Sequence, residues 1–259
     1  MKRKLILGLV VFSLSFISIT TVIKNVTVNQ TRDSKVSKAK LKKVKSSKEI
    51  NDNFFSHKKL KQGTEMSYIK SVSSFSELIN MGELTFNGKV TNLHSFVYDN
   101  IPFTIADIKA VNILKGNVSH RNKIIRVLFM GGNIKKKDLY ANQNKVFSHL
   151  SSEDINSEEI VTVEYGNIRL PRAGENVALV VSKMPKGTDN IPGEFWGSVF
   201  NDKSVFFENK AGEYKLEQTP SSIGGGGTPG SANGDLEKSK AEQMNKGMNQ
   251  LIDQAGKKN

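Results

Sequence analysis

The chain has 259 residues, 37% of them hydrophobic, with 38 Lys+Arg against 25 Asp+Glu, a formal net charge of +13 and no cysteine. These figures exclude a disulfide scaffold, a cysteine-ligated zinc or iron–sulfur centre and a cysteine nucleophile, and the supply of Val, Ile, Leu and Phe excludes a wholly disordered chain. A balance this basic points toward nucleic acid or an anionic surface.

Lys2, Arg3 and Lys4 precede nineteen uncharged residues, from Leu5 to Ile23, broken only by Gly8 and scattered Ser and Thr. At about 1.5 Å per residue a helix of that length is roughly 28 Å long, close to the ~30 Å hydrocarbon core of a bilayer. Residues 1–23 are therefore expected to be a single hydrophobic helix that acts as a membrane anchor or a signal segment. Ser18-Ile19-Thr20 is a poor peptidase site and no cysteine offers a lipobox, which favours an uncleaved, single-pass anchor. Cleavage would instead leave a secreted protein. Lys24, Arg32 and the lysines beyond compete for the cytoplasmic side, but the seven residues after Lys24 carry no charge. The nearest positive cluster is therefore Lys2–Lys4, which places the bulk of the chain outside the cytoplasm.

Residues 24–61 are lysine-rich, with six lysines in the fourteen residues VSKAKLKKVKSSKE. The tract is expected to be a disordered or weakly helical stalk. Lys35, Lys38, Lys40, Lys42, Lys43 and Lys45 are its candidate contacts to lipid headgroups or an anionic cell-wall polymer. A solvated spacer explains the same residues equally well.

Residues 62–216 carry the patterns of a β-rich domain. Met66, Ile69, Val72, Phe75 and Ile79 stand at helical spacing over residues 62–81, with the capping pattern Ser74-Phe75-Ser76-Glu77 and Gly82 as the stop. From Glu83 the period changes to two, with Leu84, Phe86, Gly88 and Val90 on one face of a half-buried strand. Residues 103–114 slip phase between Ile105 and Ile108 and again between Ala110 and Val111, which predicts bulges in a strongly coiled strand. Lys115-Gly116-Asn117 makes a turn, and residues 123–130 form a strand with Ile125, Val127 and Phe129 inward.

Residues 133–159 read as a polar insertion with a short helix near Ser151, and residues 160–164 as a strand. The turn Leu170-Pro171-Arg172-Ala173-Gly174-Glu175 leads to residues 176–182, apolar on both faces and hence central. A closing meander is expected over residues 195–200, 204–208 and 213–216. Residues 217–234 form a Gly/Ser/Pro linker, and residues 235–259 a short helical or disordered tail, a frayed tail being favoured. The fold expected is mainly β, a small antiparallel barrel or sandwich, with an OB-like barrel among its forms, one short N-terminal helix and the hydrophobic helix ahead of it.

Chemistry-bearing motifs are sparse. His57, His94, His120 and His149 stand at no metal-ligand spacing, and His94 beside Ser95 and near Asp99 lacks a nucleophile elbow. Gly131-Gly132-Asn133 is too short for a phosphate loop, and Glu153, Asp154, Glu158 and Glu159 read as a solvated acidic loop. Phe96, Tyr98, Phe103, Trp196 and Phe200 could furnish a stacking platform, but from Gln62 onward Lys+Arg number 23 and Asp+Glu 22. No nucleic-acid partner, cofactor or metal is expected, and Trp196 is assigned to the core.

The succession of residues 76–79 (SELI), 83–90 (ELTFNGKV), 104–117 (TIADIKAVNILKGN), 124–132 (IIRVLFMGG) and 170–175 (LPRAGE) resembles a group of exported, membrane-associated, mostly uncharacterised β-domain proteins of Gram-positive bacteria. The likeness spans residues 74–216 and departs at Val177 and Ala178, where the group tends to carry an aromatic, and in the long insertion. It implies an extracytoplasmic β-rich fold and transfers no active site. The function expected is a membrane-anchored binding or structural module of the cell envelope, with an unknown protein partner conceivable. The alternative is an envelope hydrolase or processing factor whose site lies around the insertion and residues 96–103.

Overall fold

The computed structural model describes residues 45–62, 72–141, 151–166, 169–200, 203–217 and 232–257. The apolar segment 5–23, most of the lysine-rich tract, Met66, Ile69, His149 and most of the linker lie outside the described residues. Among the described residues no helix is long and apolar enough to cross a membrane. The remainder is mainly β, in two sheets.

The folded body begins earlier than expected. Residues 47–61, assigned above to the stalk, form helix α1 (Ser47–Phe54) and most of strand β1 (Lys58–Gln62). Ser46 caps α1 by accepting from the Glu49 N–H at 3.2 Å, and Ile50 and Phe54, one turn apart, bury the inner face. Asn51 fastens the helix to the 170–175 turn: its amide donates to the Ala173 carbonyl at 2.9 Å and accepts from the Ala173 N–H at 2.8 Å.

Helix α2 (Phe75–Met81) starts as its sequence predicts. Ser74 accepts from the Glu77 N–H at 3.2 Å, while the Glu77 carboxylate accepts from the Ser73 N–H at 2.9 Å. Gly82 ends the helix in an extended conformation, and a Cβ there would lie 2.5 Å from a Val180 methyl.

Strands β2 (Leu84–Tyr98), β3 (Ile101–Lys115) and β4 (Ile124–Met130) pair antiparallel in sequence order. Strand β5 (Gly132–Lys135) pairs with β6 (Ile160–Tyr165), which pairs in parallel with β1, and these three make the smaller sheet. The polar insertion thus contains a strand, and also the one-turn helices α3 (Lys136–Leu139) and α4 (Ser152–Ile155). Ile134 and Leu139 bury against Val161, Val163 and Tyr165, too few apolar positions to have announced a core.

Strand β7 (Asn176–Lys183) pairs with β2 along one edge. Its other edge is shared: Val177–Leu179 pair with β9 (Val205–Glu208), and Val181–Lys183 pair with β8 (Trp196–Ser198). Strand β8 also runs parallel to β4, Val127 opposite Trp196 and Leu128 opposite Gly197. The pairings β2–β3–β4–β8–β7–β2 therefore close a ring, which β9 and β10 (Tyr214–Leu216) extend. The expected closing meander is corrected here, because β8 leaves β9 to join β4.

Two of the three register shifts between β2 and β3 leave Val111 and Leu114 unpaired on β3, matching the expected slip after Ala110. The slip expected after Ile105 is not a bulge on β3. Ile105 buries on the opposite side from Ala106, Ile108 and Ala110, so both faces are covered and the pattern only looks shifted.

Helix α5 (Ala232–Gly256) corrects the expectation of a frayed tail. Met244 and Met248 pack with Ala178, Val180, Phe206 and Tyr214 in a second core outside the ring. Asn245 and Asn249 accept from the Leu216 and Tyr214 N–H groups at 2.8 and 2.9 Å, taking the place of a further strand beside β10. Gly247 lets the helix approach: a Cβ there would lie 2.4 Å from the Phe75 ring. This layer also buries Thr85 and Asn87, so β2 is not half-buried over its first residues.

Two substitutions separate the contributions. Asn51→Ala orphans the buried Ala173 amide and is expected to cost about 1–3 kcal/mol in chemical denaturation. Thr85→Val removes a buried hydroxyl that has no hydrogen-bond partner, and is expected to leave stability within about 1 kcal/mol of the parent or to raise it.

Candidate functional site

The outer face of β2, β3 and β4 is arranged in cross-strand rows. Register sets Phe96, Phe103 and Met130 in one, His94, Ile105 and Leu128 in the next, and Asn92, Asp107 and Arg126 in the third. Residues 184–195, which connect β7 to β8, lie over the first two rows. Ile191 and Phe195, both buried, pack with Ile105, Leu128, Phe96 and Met184.

Polar contacts hold this strap in place. Arg126 Nη1 donates to the Pro192 carbonyl at 2.7 Å and the Glu194 carbonyl at 3.3 Å, and Lys183 pairs with the Glu194 carboxylate at 2.6 Å. Lys183 holds that carboxyl below its ordinary range, with His120 and Lys186 adding to the effect. Gly193 is required where the strap crosses Arg126: its φ is +80° and a Cβ would lie 2.9 Å from Nη1.

Beside the strap, the exposed His94 of the second row meets the half-buried Asn92 and Asp107 of the third. His94 Nε2 lies 2.9 Å from Asn92 Nδ2 and 3.1 Å from Asp107 Oδ2. One nitrogen cannot serve both partners in one tautomer: unprotonated it accepts from Asn92, protonated it donates to Asp107. Thr91 Oγ1, on the bulged residue of β2, donates to the Asp107 carbonyl at 2.9 Å. The cluster offers donors and acceptors on a rigid sheet and can exchange either for those of a ligand.

Several residues raised by the sequence play other parts. Ser95 points away from His94, its hydroxyl shared between the Phe103 and Asn133 carbonyls at 3.2 Å while accepting from the Asn133 N–H at 2.6 Å. Asp99 forms the β2–β3 turn with φ +48°. A Ser95–His94–Asp99 nucleophile arrangement is thereby ruled out. His120 packs edge-on to Trp196, centroids 5.6 Å apart, and Trp196 and Phe200 are core residues. Phe96 and Phe103 stack on each other at 5.4 Å rather than presenting open faces. His57 sits between α1 and β1. Of the six candidate lysines, Lys45 is exposed immediately before α1, and Lys35, Lys38, Lys40, Lys42 and Lys43 lie outside the described residues.

The acidic residues of the insertion meet lysines. Glu158 pairs with Lys135 at 2.8 Å and with Lys137, and Glu159 pairs with Lys136 at 2.7 Å. Glu153 is exposed, and no group of three His, Asp or Glu side chains among the described residues could hold a metal ion. The Asn92–His94–Asp107 cluster is not evident from the sequence, because Asp107 reaches Asn92 and His94 only through the β2–β3 register.

The bonds from Lys135 and Lys137 lower the Glu158 pKa from 4.5 to about 2. A depressed carboxylate contributes stability above its unfolded value and loses it as pH falls through the folded one. The Glu158 carboxyl carbon is therefore expected to titrate by NMR with a midpoint near 2, and a midpoint near 4.5 would show that the lysines do not engage it.

No protein-family model matches the chain, and comparison with the curated proteins and with the solved structures finds no match.

Proposed function

We propose that the chain is a membrane-tethered, extracytoplasmic binding module of a Gram-positive cell envelope. Its barrel is OB-like, and the outer face of β2, β3 and β4 beside the 184–195 strap receives an oligosaccharide. The tether rests on the uncharged run from Leu5 to Ile23 behind three cations, with the lysine-rich tract meeting lipid headgroups or an anionic cell-wall polymer. The OB-like reading is supported by the five-strand ring, its parallel β4–β8 pairing, and the packing of the fourth-to-fifth connection on the outer face of the second and third strands.

The observation that carries the ligand class is the Asn92–His94–Asp107 cluster beside the strap, His94 exposed and the other two half-buried. OB barrels take oligonucleotides or oligosaccharides on this face. An oligonucleotide needs open aromatic faces and excess positive charge. Here Phe96 and Phe103 stack on each other, Asp107 puts a carboxylate in the polar cluster, and Lys+Arg and Asp+Glu are nearly equal from Gln62 onward. Amide, imidazole and carboxylate groups suit the hydroxyls of a sugar. The hydrolase alternative loses its best nucleophile, because Ser95 is turned inward and engaged.

Full-length protein in neutral-detergent micelles, titrated with soluble glycan fragments of the cell wall, tests this reading. Glycan is expected to shift the Asn92 side-chain amide signal in NMR, and the double substitution Asn92→Ala, His94→Ala to weaken binding about tenfold or more with an unchanged melting temperature. Glycan binding that ignores the double substitution, or preference for single-stranded DNA, would overturn it.

A further inference from the structure

The three most exposed large hydrophobic side chains among the described residues are Val118 at 73%, Ile124 at 52% and Val111 at 47%. All three lie at one end of one hairpin. Ile124 is the cross-strand partner of Lys109. The Asn122 N–H donates to the Ala110 carbonyl at 3.0 Å, which brings the segment after Val118 back beside Val111. Val118 opens the 3-10 turn of the β3–β4 connection, whose N-terminus is capped by Asn117. Nothing in the fold requires these side chains to be apolar, since each faces solvent.

The charge around them is mostly positive, Asp107 being the acidic residue of the next outward row, opposite Arg126. Residues 108–137 hold eight Lys and Arg and no Asp or Glu. Lys109 and Lys123 are exposed at this hairpin end, and Lys89 stands opposite Lys109 in the register. Two carboxylates come near from elsewhere. Glu194 is already paired with Lys183, and the Glu83 backbone passes Gly116. Exposed aliphatic side chains beside three exposed lysines match the boundary of an anionic bilayer, where alkyl groups enter the acyl region and ammonium groups meet phosphates.

We infer that the β3–β4 end of the barrel docks on an anionic phospholipid surface, with Val118 and Ile124 inserted and Lys89, Lys109 and Lys123 at the headgroups. The inference deepens the membrane reading above and rests on it for the nearness of a bilayer. It gives the domain a fixed orientation at that bilayer. Charge complementarity favours lipid over a second copy of the chain, because two such ends would set lysines against lysines.

The absence of native cysteine allows single-site labelling of the full chain. Val118→Cys, carrying an environment-sensitive fluorophore, is reconstituted in vesicles of phosphatidylcholine with or without phosphatidylglycerol. Melting curves check that each variant is folded. The Val118 label is expected to report a nonpolar surrounding, quenched by acyl-chain bromine, only when phosphatidylglycerol is present. A Lys210→Cys label in the exposed β9–β10 turn should stay in water in both cases. The added pair Lys109→Gln, Lys123→Gln should lower the docked-to-undocked ratio about thirtyfold.

A Val118 label in water on both vesicles overturns the docking, as does equal quenching without phosphatidylglycerol. A shift in lipid-free micelles that grows with protein concentration assigns the surface to a second copy and overturns it too. A Val11→Cys label reports the tether independently. Quenching at 11 without quenching at 118 sinks the docking and leaves the tether, and the reverse leaves the docking and sinks the tether.

Discussion

Strand β7 is the constraint on which the rest of the molecule depends. Val177, Ala178, Leu179, Val180 and Val181 are each fully buried, the odd-numbered side chains inside the ring and the even-numbered ones against α2 and α5. Burial of a Val or Leu side chain is worth about 1.5–3 kcal/mol, so this run ties the two cores together more strongly than any single ion pair on the surface. Its edges matter as much as its faces. One edge is taken by β2, and the other is divided between β9 and β8, so only three residues of β8 are needed to join β7 to β4 and complete the ring.

That closure positions the candidate site. Once β8 is held between β4 and β7, the connection before it has to cross the outer face of the barrel, and Ile191 and Phe195 fix it there. Arg126 and Gly193 mark the crossing, one supplying donors to two carbonyls and the other the backbone freedom and space. The strap covers Phe96, Ile105 and Leu128, which leaves the polar cluster of Asn92, His94 and Asp107 beside it. The next outward row of the same strands, Lys89, Lys109 and Ile124, begins the exposed basic and aliphatic end, so the proposed glycan and lipid contacts would lie side by side on one small barrel.

Much of this arrangement could be read from local pattern. Alternation in β4, the double-faced apolar run of β7 and the Ser74–Glu77 cap all appear in the structure where the sequence placed them. What escaped reading depends on partners far away in the chain. Thr85 and Asn87 look like solvent-facing residues, yet α5, some 150 residues later, helps to cover them. Strand β1 is mostly lysine and glutamine, and its pairing with β6 supplies the order that its composition does not. Ser46 and Glu49 formed a capping pattern ahead of Ile50 and Phe54, but the surrounding lysines masked it. In helix α5 the asparagines and Gly247, which weaken an isolated helix, are the residues that bond β10 and admit Phe75. The candidate site is alike, since register alone brings Asp107 to Asn92 and His94.

The charge takes on a sharper meaning with the folded body starting after Val44. Residues 1–44 carry ten basic residues and one acidic, against 28 and 24 in the remainder, so most of the +13 still belongs to the N-terminal segment, while a small excess stays with the barrel. The central claim, that β7 joins two cores and holds the ring closed, is tested most directly by native-state amide hydrogen exchange on the full-length protein. The amides of Val177 to Val181 are expected to exchange only through global unfolding, after those of residues 184–195 and of β1. Exchange of the β7 amides as early as those of the strap would contradict it.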